Sequence, residues 1–278
     1  MTLPAEDQQR LREGVNKANV PTLLMVLVQL TGELEWLEPP YQPTKAAGLD
    51  DNPTGGFSQA VQQEIRDAAF DAILAWKNGA DIAIPELSPE LIVRMLAVSM
   101  GDDVPTEYAE FTAAQLGQTP LLDSRPIAVP EGFKVLVIGA GVSGLCCAFY
   151  LQQAGIPYVV VEKAPTVGGV WWQNRYPGCG VDSPNHLYSY SFAPNDWSAY
   201  FALRDELCGY FERVSQELDI RKNIRFETEL SKIVYDEEAH LWSADLRSAD
   251  GQVETEEFNV VLSGVGLFNP PIVPAIEG

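Results

Sequence analysis

The chain has 278 residues, 46% of them apolar and 21% charged, and its 39 acidic side chains against 18 basic ones give a formal net charge of −21. That length exceeds one ordinary domain, and the composition excludes collagen-like, coiled-coil and wholly disordered classes. So acidic a surface repels phosphate backbones and anionic lipid heads, so neither nucleic acid nor a membrane is expected as a partner.

The first residues, MTLPAEDQQR, show no basic start followed by an apolar stretch, so no secretory or transit signal is legible. The apolar run from Val20 to Leu30 falls well short of the roughly 20 residues a membrane helix needs. A cytoplasmic location is expected. Apolar residues recur at threes and fours through Glu6 to Val15, Thr22 to Leu30, Phe57 to Trp76 and Leu91 to Ser99, and Thr106 to Leu116 reads as a further helix. Gly79 follows Lys77 as a helix end, and Pro89 after Ser88 marks a helix start. Residues 1–126 are read as an all-α domain. The stretch Leu121 to Gly132, broken by Pro126 and Pro130, is the expected linker to a second domain at 127–278.

From Phe133 the pattern changes. Phe133 to Ile138 is a short apolar run, Val142 to Gln153 a helical stretch and Tyr158 to Val161 a β-branched run, which together predict a βαβ unit. Leu203 to Leu218 predicts a helix and Ile224 to Glu227 a strand, and Ser231 to Tyr235, Leu241 to Leu246 and Glu256 to Leu262 predict an antiparallel meander. The fold class expected is α/β: a helical N-terminal region, then a Rossmann-like domain. Cys146, Cys147, Cys179 and Cys208 form no CxxC pair, and His186 and His240 have no ligand spacing, so reduced thiols and no metal site are expected.

Gly139-Ala-Gly141-Val142-Ser143-Gly144 lies between the first strand and its helix, the context in which this pattern points to dinucleotide binding. Gly139 permits the tight turn, Gly141 lets a diphosphate approach the backbone, and Gly144 lets helix and sheet pack closely. The helix N-terminus then offers free N–H groups and the positive end of its dipole. Glu162 ends the second strand, 23 positions after Gly139, where a carboxylate accepts from ribose hydroxyls and repels a 2′-phosphate. FAD or NAD therefore suits this loop better than NADP. The stretch Gly168-Gly169-Val170-Trp171-Trp-Gln-Asn-Arg-Tyr-Pro-Gly-Cys-Gly180-Val181-Asp182 is too rich in glycine, aromatics and proline for an ordinary connection and reads as a ligand-wrapping loop.

On GAGVSG, GGVWWQNRYPGCGVDSPNHLYSYSF and LSGVGLFNPPIVP, residues 133–278 resemble the class B flavoprotein monooxygenases, specifically the Baeyer–Villiger monooxygenases, and the helical region resembles the extension of the 4-hydroxyacetophenone monooxygenase type. The resemblance implies FAD and NADPH as cofactors. It implies that Gly139, Gly141, Val142, Ser143 and Gly144 meet the FAD diphosphate, that Glu162 takes its ribose, and that Gly168, Gly169, Val170, Trp171 and Tyr188 line the rest of the flavin site. Leu230 stands where the family has a valine near the adenine. Gly180 and Val181 would lie by the nicotinamide cofactor, and Asp182 by the flavin ring as the catalytic carboxylate that orients an arginine. The implied reaction reduces FAD with NADPH, captures O2 as a C4a-peroxide and inserts one oxygen beside a ketone carbonyl, giving an ester or lactone. Aryl ketones and a homodimer are further expectations.

The family continues with an F-x-G-x-x-x-H-x-x-x-W fingerprint and a second glycine-rich domain, neither of which is in this sequence, and no arginine here matches the one Asp182 would orient. The resemblance therefore implies an N-terminal portion, inactive alone and with its FAD domain incomplete. Two alternatives stand beside it: an N- or S-oxygenating flavin monooxygenase, and a truncated, non-catalytic paralogue that acts by binding.

Overall fold

The computed structural model describes residues 2–45, 52–80, 87–119, 127–267 and 275–276. Residues 121–126 of the expected linker and 268–274 of the C-terminal motif lie outside the described residues. The chain divides into two compact units, Met1–Asp123 and Ser124–Gly278.

The first unit is helical: α1 (Ala5–Lys17), α2 (Val20–Thr31), α3 (Gln59–Lys77), α4 (Pro89–Met100) and α5 (Tyr108–Gln115). Short polar side chains start three of these. Asn19, Ser58 and Ser88 each accept from a backbone N–H three residues on, at 3.0, 3.4 and 3.2 Å, satisfying a donor that the first turn leaves free. Gly32 and Gly101 end α2 and α4 in the left-handed conformation. Val20, Leu23, Leu24 and Leu27 of α2 close a core with Val15 of α1 and Ile65 and Ala69 of α3. No described helix is long and apolar enough to cross a membrane.

The second unit contains β1 (Val135–Ile138), α6 (Val142–Gln153), β2 (Tyr158–Val161), the single turn α7 (Val170–Gln173), α8 (Arg204–Glu217), β3 (Ile224–Arg225), β4 (Thr228–Asp236), β5 (Leu241–Ser248), β6 (Val253–Phe258) and β7 (Val260–Ser263). The order β3-β2-β1-β7 forms a parallel sheet, and β4-β5-β6 an antiparallel one. Side chains alternate across a strand, and β1 is covered on both sides. Val135 and Val137 pack with Leu145 and Ala148 of α6 and Leu207, Phe211 and Val214 of α8, and Leu136 packs with Ala244, Leu246 and Phe258 of the meander. A sheet buried on both faces explains the unbroken apolar run VLVI.

The predicted strand from Glu256 to Leu262 is corrected. It splits at Asn259, with Val253–Phe258 completing the meander and Val260–Ser263 leaving to pair with β1 in register Val135↔Val260 and Ile138↔Ser263. The cause is a two-way clasp: Lys134 N–H donates to Asn259 Oδ1 at 2.9 Å, and Asn259 N–H donates to Lys134 O at 3.0 Å. The chain is thereby turned from one sheet into the other.

Candidate functional site

β1, β2 and β7 end together at one lip of the parallel sheet, where open α/β sheets form a crevice. A cleft of about 640 Å³ opens there. Its walls take Gly139, Gly141, Val142 and Ser143 from the first bend, Glu162 and Lys163 beyond β2, and Gly168, Gly169, Val170 and Gln173 around α7. Tyr188, Thr228 to Leu230, Ser263 to Leu267 and the strand ends Ile138 and Val161 complete them.

The bend is bare backbone for steric reasons. Gly139 has φ +92°, and a Cβ on it would stand 2.8 Å from Gly264 O. A Cβ on Gly169, at φ +55°, would stand 3.0 Å from Gly141 Cα, and one on Gly141 3.5 Å from Gly169 Cα, so the two glycine segments lie against each other, tightly on the Gly169 side. A Cβ on Gly144 would meet Gly139 O at 1.8 Å, which makes Gly144 the contact between helix and loop, buried behind the cleft. No side chain caps the start of α6, which leaves its N-terminal donors and dipole facing the cleft. Tyr190 fixes that first turn: its hydroxyl donates to Val142 O at 2.5 Å, and burial pushes its pKa well up, so the donor stays protonated.

Glu162 is 6% exposed. Its Oε2 accepts from Ala140 N–H at 2.7 Å and its Oε1 from Ala164 N–H at 2.8 Å. One amide thus holds each oxygen, and each keeps lone-pair capacity for a further donor. A vicinal diol is such a donor pair, and a diphosphate is what uncapped helix N–H groups over glycine accept. The donor set fits the adenosine diphosphate half of a dinucleotide.

The other expected residues fall into two places. Trp171 stands behind the wall, its indole N–H donating to Tyr188 Oη at 3.0 Å with the rings edge to face at 5.7 Å. Gly180 pairs with Leu203 in an antiparallel bridge, Val181 N–H donates to Ala202 O at 3.0 Å, and Asp182 is exposed with Ser183 Oγ 3.5 Å from its carboxylate. None of these three lines the cleft. Burial pushes the Cys146, Cys147 and Cys208 thiols up, away from the reactive thiolate.

Sequence reasoning missed Lys163, Gln173, Thr228, Glu229 and the stretch Ser263 to Leu267 as wall residues. A signal existed for the last, since LSGVG is part of a motif already singled out. Thr228 and Glu229 carried none: Thr228 N–H donates to Glu162 O at 2.9 Å and Glu227 N–H to Ala164 O at 3.2 Å, contacts that only the folded chain creates.

The family described as NAD(P)-binding Rossmann-like domain matches residues 137–202. The chain is 45% identical over 271 residues to an uncharacterized monooxygenase of Sinorhizobium fredii, with 98% of this chain and 41% of that protein covered. It is 39% identical over 152 residues to a Baeyer–Villiger monooxygenase of Streptomyces coelicolor, covering 54% of this chain and 28% of the relative. An FAD-binding monooxygenase of Dothistroma septosporum is 39% identical over 152 residues, with 52% of this chain and 24% of the relative covered. The chain thus spans less than half the length of each of these relatives.

Proposed function

We propose, from the premise that this chain is a relative of the Baeyer–Villiger and FAD-binding monooxygenases, that its second unit binds FAD in the cleft and serves an NADPH-dependent monooxygenase that converts ketones and O2 into esters or lactones. The carrying observation is the Glu162 carboxylate, buried beside the Gly139 to Gly144 bend and gripped by Ala140 N–H at 2.7 Å. In this reading the first turn of α6 receives the diphosphate, Glu162 accepts from the ribose hydroxyls, and Leu230 and Val161 border the adenine. Tyr188, held by Trp171, borders the flavin end. The bound flavin would supply O2 activation once NADPH has reduced it. The chain's own part is to orient the flavin and to close one wall against water.

Gly180, Val181 and Asp182 form a second subsite in this proposal, with Gly180 and Val181 toward the nicotinamide and Asp182 as the carboxylate that orients an arginine. Aryl ketones as substrates, a homodimer and a cytoplasmic location follow from the same resemblance. Exposed Tyr108 and Phe111 on α5 support the dimer.

Titration of the 278-residue chain with FAD, followed by flavin fluorescence and absorbance, tests the first half of the proposal. Saturable uptake of FAD in preference to FMN is the expected result, and no uptake would remove the reading. NADPH consumption with a ketone panel, scored for esters by mass spectrometry, tests the second. Sulfoxide or N-oxide products alone would transfer the reading to heteroatom oxygenation. A non-catalytic flavin binder is the second reading. It predicts FAD uptake without turnover.

A further inference from the structure

We propose that Arg204 is a positioning residue of the cleft, one that fixes α7 from outside and through it the glycine floor and Tyr188. The proposal rests on the FAD reading for its functional consequence, and its structural half stands apart from it.

α7 is a single turn, too short to hold itself by its own hydrogen bonds: Val170 O accepts from Asn174 N–H at 2.9 Å, while Trp171 O and Trp172 O, in its last turn, have no i+4 partner within the helix. Arg204 supplies the missing donors. Its Nε–H donates to Trp171 O at 2.6 Å and an Nη2–H to Trp172 O at 3.2 Å. Its backbone N–H donates to Cys179 O at 2.8 Å, so one residue holds both ends of the 171–179 segment. The remaining nitrogen, Nη1, meets Asp205 Oδ1 at 2.6 Å. The Arg204 side chain is 19% exposed against 90% for Asp205. An ion pair whose partner stands in water holds a side chain in place only weakly. The tucked position is therefore explained by the two carbonyls.

The location argues the same way. Arg204 is the first residue of α8, where a cation opposes the helix dipole. Its placement is unfavourable for α8 and favourable for the carbonyl end of α7. From α7 the effect reaches the cleft by two short routes. Trp171 N–H donates back to Gly168 O at 3.1 Å, and Gly168 N–H donates to Ala140 O at 3.0 Å. The Trp171 indole holds the Tyr188 hydroxyl at 3.0 Å. A lysine keeps the charge and cannot reproduce a planar fork to two carbonyls. Arg175 is the internal comparison: it is exposed, its Nε–H donates to Trp172 O at 3.2 Å, and its guanidinium stacks 4.2 Å from the Trp172 ring centre.

The test uses the full chain and three measurements: amide hydrogen exchange without FAD, the FAD dissociation constant by fluorescence, and the thermal midpoint. Arg204→Ala is expected to speed exchange at residues 171–174 and to weaken FAD about tenfold, a tenfold change being one hydrogen bond's usual worth at a charged donor. Arg204→Lys recovers part of both, and Arg175→Ala, which loses a bond to Trp172 O but none to Trp171 O or Cys179 O, changes both less than Arg204→Ala does. Because Arg204 acts through Trp171, adding Trp171→Phe to Arg204→Ala should weaken FAD no further than the worse single variant. Should Arg204→Ala fail to fold, Arg204→Lys replaces it in the same cycle. Unchanged exchange at 171–174, or fully additive losses, overturns the proposal. A wild-type chain that takes up no FAD would instead sink the cofactor reading, leaving exchange to decide on Arg204.

Discussion

At Gly144 even a methyl group has no place, because a Cβ there would stand 1.8 Å from Gly139 O and 2.9 Å from its carbonyl carbon. Backbone, not a flexible side-chain end, is what would have to move. Gly144→Ala is therefore expected to cost about 3 kcal/mol, the upper end for overpacking, and to lower the urea midpoint. Gly14 of α1 has no atom within 4 Å of its would-be Cβ, so Gly14→Ala should stabilise by about 0.5–1 kcal/mol. The same substitution thus takes opposite signs at two helical positions, and equal signs in urea unfolding would refute the steric account. Glu162→Gln tests the other half of the bend. Both carboxylate oxygens accept backbone N–H bonds, so an amide must turn its NH2 toward one of those donors. The loss is expected to be about 1–3 kcal/mol of stability, with weaker FAD uptake, read in urea and by fluorescence titration respectively.

Between elements, Glu256 ties three strands. From β6 it bonds Lys134 Nζ, just before β1, at 2.7 Å and meets Arg225 of β3, while its side chain is 16% exposed. Burial alone would push this carboxyl up, but the hydrogen bonds and charges of Arg225 and Lys134 outweigh it and hold the pKa below the usual glutamate range. A folded pKa below the unfolded value, about 4.3, adds stability that is fully present above that pH and disappears as pH falls through the folded value. Glu256→Gln should accordingly lower stability at pH 7 and flatten its decline below about pH 4.3, as denaturant midpoints across pH 3 to 7 would show. An unchanged slope would mean that the pair contributes nothing. This coupling also marks the limit of what the linear chain reveals. VLVI, the glycine bend and Glu162 were legible because their meaning is local: strand, turn and acid fall within thirty residues. The split at Asn259 was not, since its cause is Lys134, 125 positions earlier. Thr228 and Glu229 reach the cleft for the same reason, through contacts with the end of β2 that no spacing announces. Asp182 is legible through its motif alone: it is exposed and stands outside the walls of this cleft, so its proposed place by the flavin rests on the resemblance.

At the scale of the molecule the net charge of −21 opposes the ligand. A flavin dinucleotide brings its own diphosphate charge, so the far field of the chain repels it, and only the near field at the bend attracts. Lys163 on the wall and the uncapped start of α6 supply that attraction, against the Glu162 and Glu229 carboxylates on the same walls. The two act over different distances. The Debye length is about 30 Å at 0.01 M salt and about 8 Å at 0.15 M, so added salt removes the distant repulsion before it weakens contacts of a few ångströms. FAD association is therefore expected to speed up as salt rises over this range, the reverse of a basic dinucleotide site, with stopped-flow flavin fluorescence as the measurement. Lys163→Gln removes the attractive cation and should lower the rate at every salt concentration while leaving the upward trend. A rate that falls with salt would mean that the positive potential of the bend governs approach as well as capture. The surface acidity would then face away from the path that the ligand takes.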